Sequence, residues 1–268
     1  MTADFQASGP LLMLGAGRMG GALIEGWAKA GVLDPARLIV VEPHPSDALR
    51  ALGAPINPPN ETLRQARTVL LAVKPQMWRA AAQTLAPNLA DEAVIVSIAA
   101  GVSRADISAG FGGRRTARVM PTTAVAIGKG VASIFAPDED AHARAHALFD
   151  PVAATVDLAD EALMHAATAV SGSAPAYLYA FIEALEDAGV MAGLSGPAAR
   201  RLVRNTIVGA SALLESGGEE PSELRRQVTS PGGTTQAALE VLMGQGGLGP
   251  LLEGAVAAAV ARSKELAG

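Results

Sequence analysis

Six residues near the N-terminus, Gly15-Ala16-Gly17-Arg18-Met19-Gly20, have the types and spacing that hold a pyrophosphate. In a G-x-G-x-x-G turn the first glycine permits the tight turn. The second lets the backbone approach the phosphates, and the third lets helix and strand pack closely. The phosphates then meet unpaired N–H groups at the positive end of a helix dipole. In a chain with 29 glycines the pattern alone is weak. Its position strengthens it, because it follows the apolar run Leu11 to Leu14 and opens a small-residue helical segment. Glu42 ends the next apolar run, 27 residues after Gly15. An acid there accepts hydrogen bonds from the adenine ribose hydroxyls and repels a 2′-phosphate. The bland alternative is a solvated carboxylate at a strand end. No arginine follows directly in Pro43-His44-Pro45-Ser46, but Arg50 or Asn60 could reach a phosphate, so NADH and NADPH both stay open. Ala72-Val73-Lys74-Pro75 and Ala99-Ala100-Gly101 end the third and fourth runs, where open α/β sheets bind ligands. Their small residues would let a nicotinamide ribose approach the backbone. Lys74 is expected near the cofactor, against the alternative of a surface lysine.

Several reductase mechanisms fail for want of residues. A Tyr-x-x-x-Lys pair is absent: four residues after Tyr177 and Tyr179 stand Phe181 and Glu183. A helical lysine as general acid is also missing, since the only lysine after Lys129 is Lys264. Arg201 and Asn205 occupy the helix instead, and arginine is a poor proton donor. His142 and His146, spaced i, i+4, could share a metal. Their neighbours Asp138-Glu139-Asp140 and Arg144 make them read as a solvated helix face, so no metal site is expected. His44 lies in a proline-rich turn, and His165 reads equally as helix surface or site. Reducing a carbonyl needs a proton delivered to oxygen. A cyclic imine needs this less, because its nitrogen can already be protonated. A site without a strong donor then has mainly to position a C=N bond and hold the substrate.

These residues need elements to position them. Leu11 to Leu14, Leu38 to Val41, Thr68 to Val73 and Val94 to Ile98 recur about every 25 to 30 residues, as βαβ units around a buried parallel sheet do. Arg118 to Met120, Val131 to Phe135 and Thr155 to Leu158 extend the sheet, with a helix over Asp138 to Asp150. Near Asp160 the character changes. Leu202, Val203, Thr206, Ile207, Ala210, Leu213 and Leu214 keep one helix face between Gly196-Pro197 and Ser216-Gly217-Gly218. Pro175 to Met191 and the segment around Leu251 to Val260 are further helices. The expected architecture is a Rossmann-like parallel-sheet domain over residues 1–159 and an all-α domain over 160–268. With aromatics at only 3%, the helical part has little to fill a lone core, so dimerisation is expected.

Composition excludes other classes. A net charge of −5 argues against a nucleic-acid partner. The absence of cysteine removes disulfides, thiolate metal sites and a cysteine nucleophile. Met1 to Pro10 carries no positively charged side chain, so it does not read as a signal peptide. Gly254 to Val260 is apolar but too short to span a bilayer. A soluble cytoplasmic enzyme without a membrane partner is the expectation.

Val228 to Thr235 lies between two helical segments. Two glycines and hydroxyl residues opening a helix make an anion cradle, against the alternative of an ordinary interhelical turn. Here the sequence resembles the pyrroline-5-carboxylate reductase family. The resemblance runs through the glycine motif, Ala72-Val73-Lys74-Pro75, Ala99-Ala100-Gly101-Val102, Ser171 to Tyr177, and Ser230 to Thr235 continuing into Ala238-Leu239. It implies hydride transfer from NADPH or NADH to the ring imine of a small-molecule substrate, giving L-proline. It also implies a homodimer whose active site is completed across the interface, and a larger ring, in some members a decamer of five dimers. By motif, Ser230, Gly233 and Thr234 would hold the substrate carboxylate, the Thr235 hydroxyl the ring nitrogen, and Glu161 a position near the substrate. The alternatives are another imine or keto-acid reductase on this scaffold, or a non-catalytic dinucleotide sensor. The sequence departs from the family where Thr122-Thr123 follows Pro121, at His165, at Ala174, and at Gly218, beside which Glu219 and Glu220 stand. Glu42 occupies a position where NADPH-using members often carry serine.

Overall fold

The computed structural model describes Phe5 and residues 9–267. In chain order the elements are β1 (Leu11–Leu14), α1 (Arg18–Lys29), β2 (Leu38–Val41), α2 (Asp47–Ala51), α3 (Asn60–Leu63), β3 (Thr68–Leu71), α4 (Trp78–Leu85), β4 (Val94–Ser97), α5 (Arg104–Gly110), β5 (Thr116–Pro121), β6 (Gly130–Phe135), α6 (Glu139–Phe149) and β7 (Ala153–Asp157). Then come α7 (Met164–Ala167), α8 (Ala174–Met191), α9 (Gly196–Gly217), α10 (Pro221–Gln227), α11 (Thr234–Leu242) and α12 (Leu248–Ala267).

The seven strands form one sheet in the order β2-β1-β3-β4-β5-β6-β7. Strands β1 to β5 are parallel, β6 is antiparallel to β5, and β7 runs parallel to β6. The central strands are continuous apolar runs because both faces are covered. Alternate residues feed two cores. Leu11, Met13 and Leu70 join Leu23 and Trp27 of α1 and Leu148 and Phe149 of α6. Leu12, Leu14, Val69 and Leu71 join Leu63 of α3, Trp78 of α4 and Ile107 of α5. The Trp27 indole N–H is satisfied inside its core by the Leu148 carbonyl at 2.7 Å. Strand order reverses at β1, between β2 and β3, which opens the crevice where such sheets bind ligands.

The chain divides into two compact units: Met1–Gly172 with Val260–Gly268, and Ser173–Ala259. The division falls after Gly172 rather than at Asp160, for a packing reason. Met164 of α7 and Ala169 of the π-helical turn Thr168–Gly172 are buried in the sheet-bearing unit. The end of α12 returns to that unit, where His165 Nδ1 and Ser263 Oγ lie 2.9 Å apart.

The second unit is helical. Arg204 Nε donates to Glu186 Oε1 at 2.8 Å, tying α9 to α8. Among the described residues, α8, α10, α11 and α12 have no buried side chain, and α9 buries only Ala199 and Val203. Met191, Val208, Leu213, Val241 and Leu251 are each more than 60% exposed. Apolar surface on this scale marks an interaction face rather than a finished exterior. No helix of the described residues is long and apolar enough to cross a membrane.

Candidate active site

The glycine turn sits at the carboxyl end of β1, at the switch point. Gly15 takes φ +92°, which a side chain would resist, and a Cβ there would lie 2.9 Å from the Ala72 carbonyl oxygen. Its N–H donates to Val41 O at 2.9 Å, fixing the turn between β2 and β3. A Cβ on Gly20 would fall 2.4 Å from Gly15 O, so only glycine lets α1 start this close to β1. Around the Cβ position of Gly17 there is open space. Gly17 is also the N-cap of α1, and no side chain caps that terminus. The first N–H groups, from Arg18, Met19 and Gly20, therefore open a cradle that fits a pyrophosphate by geometry and by dipole.

Glu42 leans back onto this turn. Ala16 N–H donates to its Oε2 at 2.8 Å, and His44 N–H donates to its Oε1 at 2.9 Å. Asn57 holds the Glu42 backbone at both ends: Glu42 N–H donates to Asn57 Oδ1, and Asn57 Nδ2 donates to Glu42 O, each at 2.9 Å. Sequence reasoning missed Asn57. Its signal is chemical, since asparagine tolerates the left-handed φ of +50° found here. Asn60 opens α3 and is exposed.

The remaining positions expected to serve the cofactor line the same strand ends. Ala72 N–H donates to Leu14 O at 2.8 Å, and the Val73 side chain lies against Gly15. Lys74 is exposed, and Pro75 follows it as the first residue of a 3₁₀ turn. Ala100 is exposed just beyond β4. Gly15 to Gly20, Glu42, Ala72, Val73 and Lys74 are thus gathered at the carboxyl ends of β1, β2 and β3.

Glu161 sits in a charged cluster with Arg118 of β5 and the start of α5, in the same unit. Its Oε1 accepts from Arg118 Nη1 at 2.7 Å and from Arg104 N–H at 2.6 Å. Arg118 is only 7% exposed, so its guanidinium depends on that carboxylate. Sequence reasoning took Arg118 only as part of a strand; a cation inside an otherwise apolar run was the available signal. His165 feels the charges of this cluster. Burial first, then the charges of Arg118 and Lys264, hold its pKa below the ordinary 6.5, while Glu161 opposes them.

In the second unit, Ser230, Pro231, Gly232 and Gly233 lead into α11. Gly232 adopts φ +70°, and its N–H donates to Gln236 Oε1 at 2.7 Å. The Gly233 N–H is used within the turn, donating to Ser230 O at 3.0 Å. Gly233 is the N-cap of α11, with no side-chain cap, so Thr234 and Thr235 present the first N–H groups of that helix. Ser230 and Thr234 are exposed and Thr235 half-buried. Gln236, which buttresses the turn, is another residue that sequence reasoning missed; its i+4 spacing from Gly232 was the signal.

In the comparisons with known proteins, the family boundary falls beside Asp160 rather than at Gly172. A family model described as "Pyrroline-5-carboxylate reductase dimerisation" matches residues 161–266, and one described as "NADP oxidoreductase coenzyme F420-dependent" matches residues 11–101. A pyrroline-5-carboxylate reductase of Pseudomonas aeruginosa is 38% identical over 265 residues, covering 96% of each chain. The solved structure of a pyrroline-5-carboxylate reductase from Coxiella burnetii is similar with a TM-score of 0.89 at 31% identity, covering 97% of this chain and 99% of that one. The Plasmodium falciparum pyrroline carboxylate reductase, solved with NADP bound, gives a TM-score of 0.82 at 27% identity, covering 97% and 98%.

Proposed function

The chain belongs to the pyrroline-5-carboxylate reductase family, and from that premise we propose how its own residues serve the reaction. It is an oxidoreductase that transfers hydride from NAD(P)H to the C=N bond of 1-pyrroline-5-carboxylate, giving L-proline. The observation that carries the assignment of roles is the uncapped start of α11 behind a turn already braced by Gln236.

The bound nicotinamide supplies the hydride; the chain supplies placement. Gly15 to Gly20 hold the pyrophosphate at the start of α1. Glu42 would face the adenosine ribose of a bound cofactor and disfavour a 2′-phosphate, and Asn60 would be within reach of such a phosphate. Ala72, Val73, Lys74, Pro75 and Ala100 frame the nicotinamide half. The turn from Ser230 to Thr234 binds the substrate carboxylate through backbone N–H groups and the positive end of α11. Because Gly233 N–H is engaged within the turn, we assign the carboxylate chiefly to the Thr234 and Thr235 N–H groups and the Ser230 hydroxyl. Thr235 Oγ1 hydrogen-bonds the ring nitrogen and orients the imine, with Glu161 near the substrate. No strong proton donor is required, since the imine enters protonated. The helical unit works within a homo-oligomer, as its exposed apolar side chains and the matching dimerisation family model indicate. We propose a homodimer as the working unit, with a decamer of five dimers as its higher assembly.

Replacing Thr235 tests this site. Thr235→Ala removes one hydrogen bond to the reacting ring, about 1–3 kcal/mol or roughly 5- to 150-fold in kcat/KM for the imine. Thr235→Ser should recover most of that, and cofactor affinity should hold in both. An alanine variant with wild-type kcat/KM removes Thr235 from the mechanism.

A further inference from the structure

Away from the cofactor cradle, α6 and the edge strand β7 bring together polar side chains that hydride transfer does not use. His142 and His146 stand one turn apart on α6, with ring centroids 4.4 Å apart. Both point an Nε2 at one atom, Asp157 Oδ1, at 3.0 and 3.1 Å. Asp157 is the last residue of β7. Behind them, His146 Nδ1 lies 2.9 Å from Asp150 Oδ1, which also accepts from Thr155 Oγ1 at 2.8 Å. Sequence order hid the group, because the carboxylate that completes the histidine pair arrives from another element.

The donor set is that of a borderline divalent cation: two imidazoles and one carboxylate. Ligand atoms around a tetrahedral Zn²⁺ lie about 2.0–2.1 Å from the ion and therefore roughly 3.3 Å from one another. Both nitrogen–oxygen separations are already close to that spacing, and all three donor atoms lie within 4.8 Å of one another. Asp150 supplies what metal-binding histidines require, an outer carboxylate that keeps the proton on Nδ1 and turns the Nε2 lone pair toward the ion. Two carboxylates facing two imidazoles also leave negative charge for a cation to offset. The side chains of His142 and Asp157 are 44% and 54% exposed, which gives an ion a path in and leaves a coordination position for water.

We propose that His142, His146 and Asp157 form a binding site for a divalent transition-metal cation of the Zn²⁺ class, oriented by Asp150, which fastens β7 to α6. β7 ends the sheet, and an exposed edge strand needs such protection against pairing with other chains. The site lies on one unit and is separate from the residues assigned to hydride transfer.

The test titrates chelator-treated full-length protein with ZnCl2 by calorimetry and with CoCl2 by visible absorption. The proposal expects one saturating equivalent per chain and a ligand-field band from Co²⁺ that Zn²⁺ displaces. His142→Ala/His146→Ala should abolish that equivalent, and Asp150→Asn should weaken it by about 10- to 100-fold without changing its stoichiometry. On the unsubstituted protein, which removes any question of variant folding, Zn²⁺ should shift the imidazole nitrogen resonances of His142 and His146 and leave those of His44 and His165 in place. Absence of saturable binding, binding retained in the double variant, or unmoved His142 and His146 resonances each overturns it.

Discussion

Glu42 makes a measurable claim about the cofactor. Its carboxylate sits against the glycine turn, accepting from Ala16 N–H at 2.8 Å and His44 N–H at 2.9 Å. A 2′-phosphate bound at the end of β2 meets that charge. For a unit charge about 6 Å away, an effective dielectric of about 20 gives a repulsion of roughly 3 kcal/mol. Glu42 is half-buried, so solvent screening cuts this two- to threefold, to about 1 kcal/mol per charge. A phosphate carrying nearly two charges therefore loses about 2 kcal/mol, or about 30-fold in preference. Two variants separate charge from structure. Glu42→Gln keeps an oxygen for Ala16 N–H and removes the charge; Glu42→Ser removes both. The ratio of kcat/KM for NADPH over NADH should rise about 30-fold in each. The serine variant should also lose activity with both cofactors, because the clamp on the turn is gone, at about 0.5–1.5 kcal/mol per hydrogen bond. A ratio that moves by less than about twofold in Glu42→Gln refutes the reasoning, since the charge would then not face the ribose.

Other consequences follow from the same geometry. Glu161→Ala strands the buried Arg118 guanidinium and the Arg104 N–H. Breaking such a pair costs about 3 kcal/mol here, the lower end for buried pairs because the Glu161 side chain is 28% exposed. A fall in melting temperature of about 6–12 °C is expected by circular dichroism, and an unchanged melt contradicts the pairing. The His165 imidazole should titrate below its ordinary 6.5, since burial and the charges of Arg118 and Lys264 favour its neutral form. The contribution of His165 to stability is then greatest above 6.5 and declines as pH falls toward the folded pKa, because the unfolded chain takes up the proton first. An NMR titration midpoint at or above 6.5 contradicts this.

Much of the fold was legible because its signals are local. Leu11 to Leu14 and Val94 to Ile98 read as buried strands from four apolar residues each, and the strands that form, Leu11–Leu14 and Val94–Ser97, are wholly buried. Gly196-Pro197 and Gly218 bracketed α9 because proline starts helices and a left-handed glycine ends them. The glycine turn was legible for the same reason: its constraints lie within six residues. What escaped depends on distant partners. The unit boundary fell twelve residues after Asp160 because Met164 and Ala169 pack against the sheet, which periodicity does not report. The pairing of Arg118 with Glu161 spans 43 residues, and that of Asn57 with Glu42 spans 15. The histidines of α6 looked like a solvated face until β7 placed Asp157 against them.

The central claim is hydride transfer to a cyclic imine. The most direct measurement mixes the purified protein with 1-pyrroline-5-carboxylate and NADPH or NADH labelled with deuterium at the transferable position, and analyses the product by mass spectrometry. The account predicts L-proline carrying one deuterium at its δ-carbon, the former imine carbon, formed with NADH and NADPH. No labelled proline with either cofactor would contradict it.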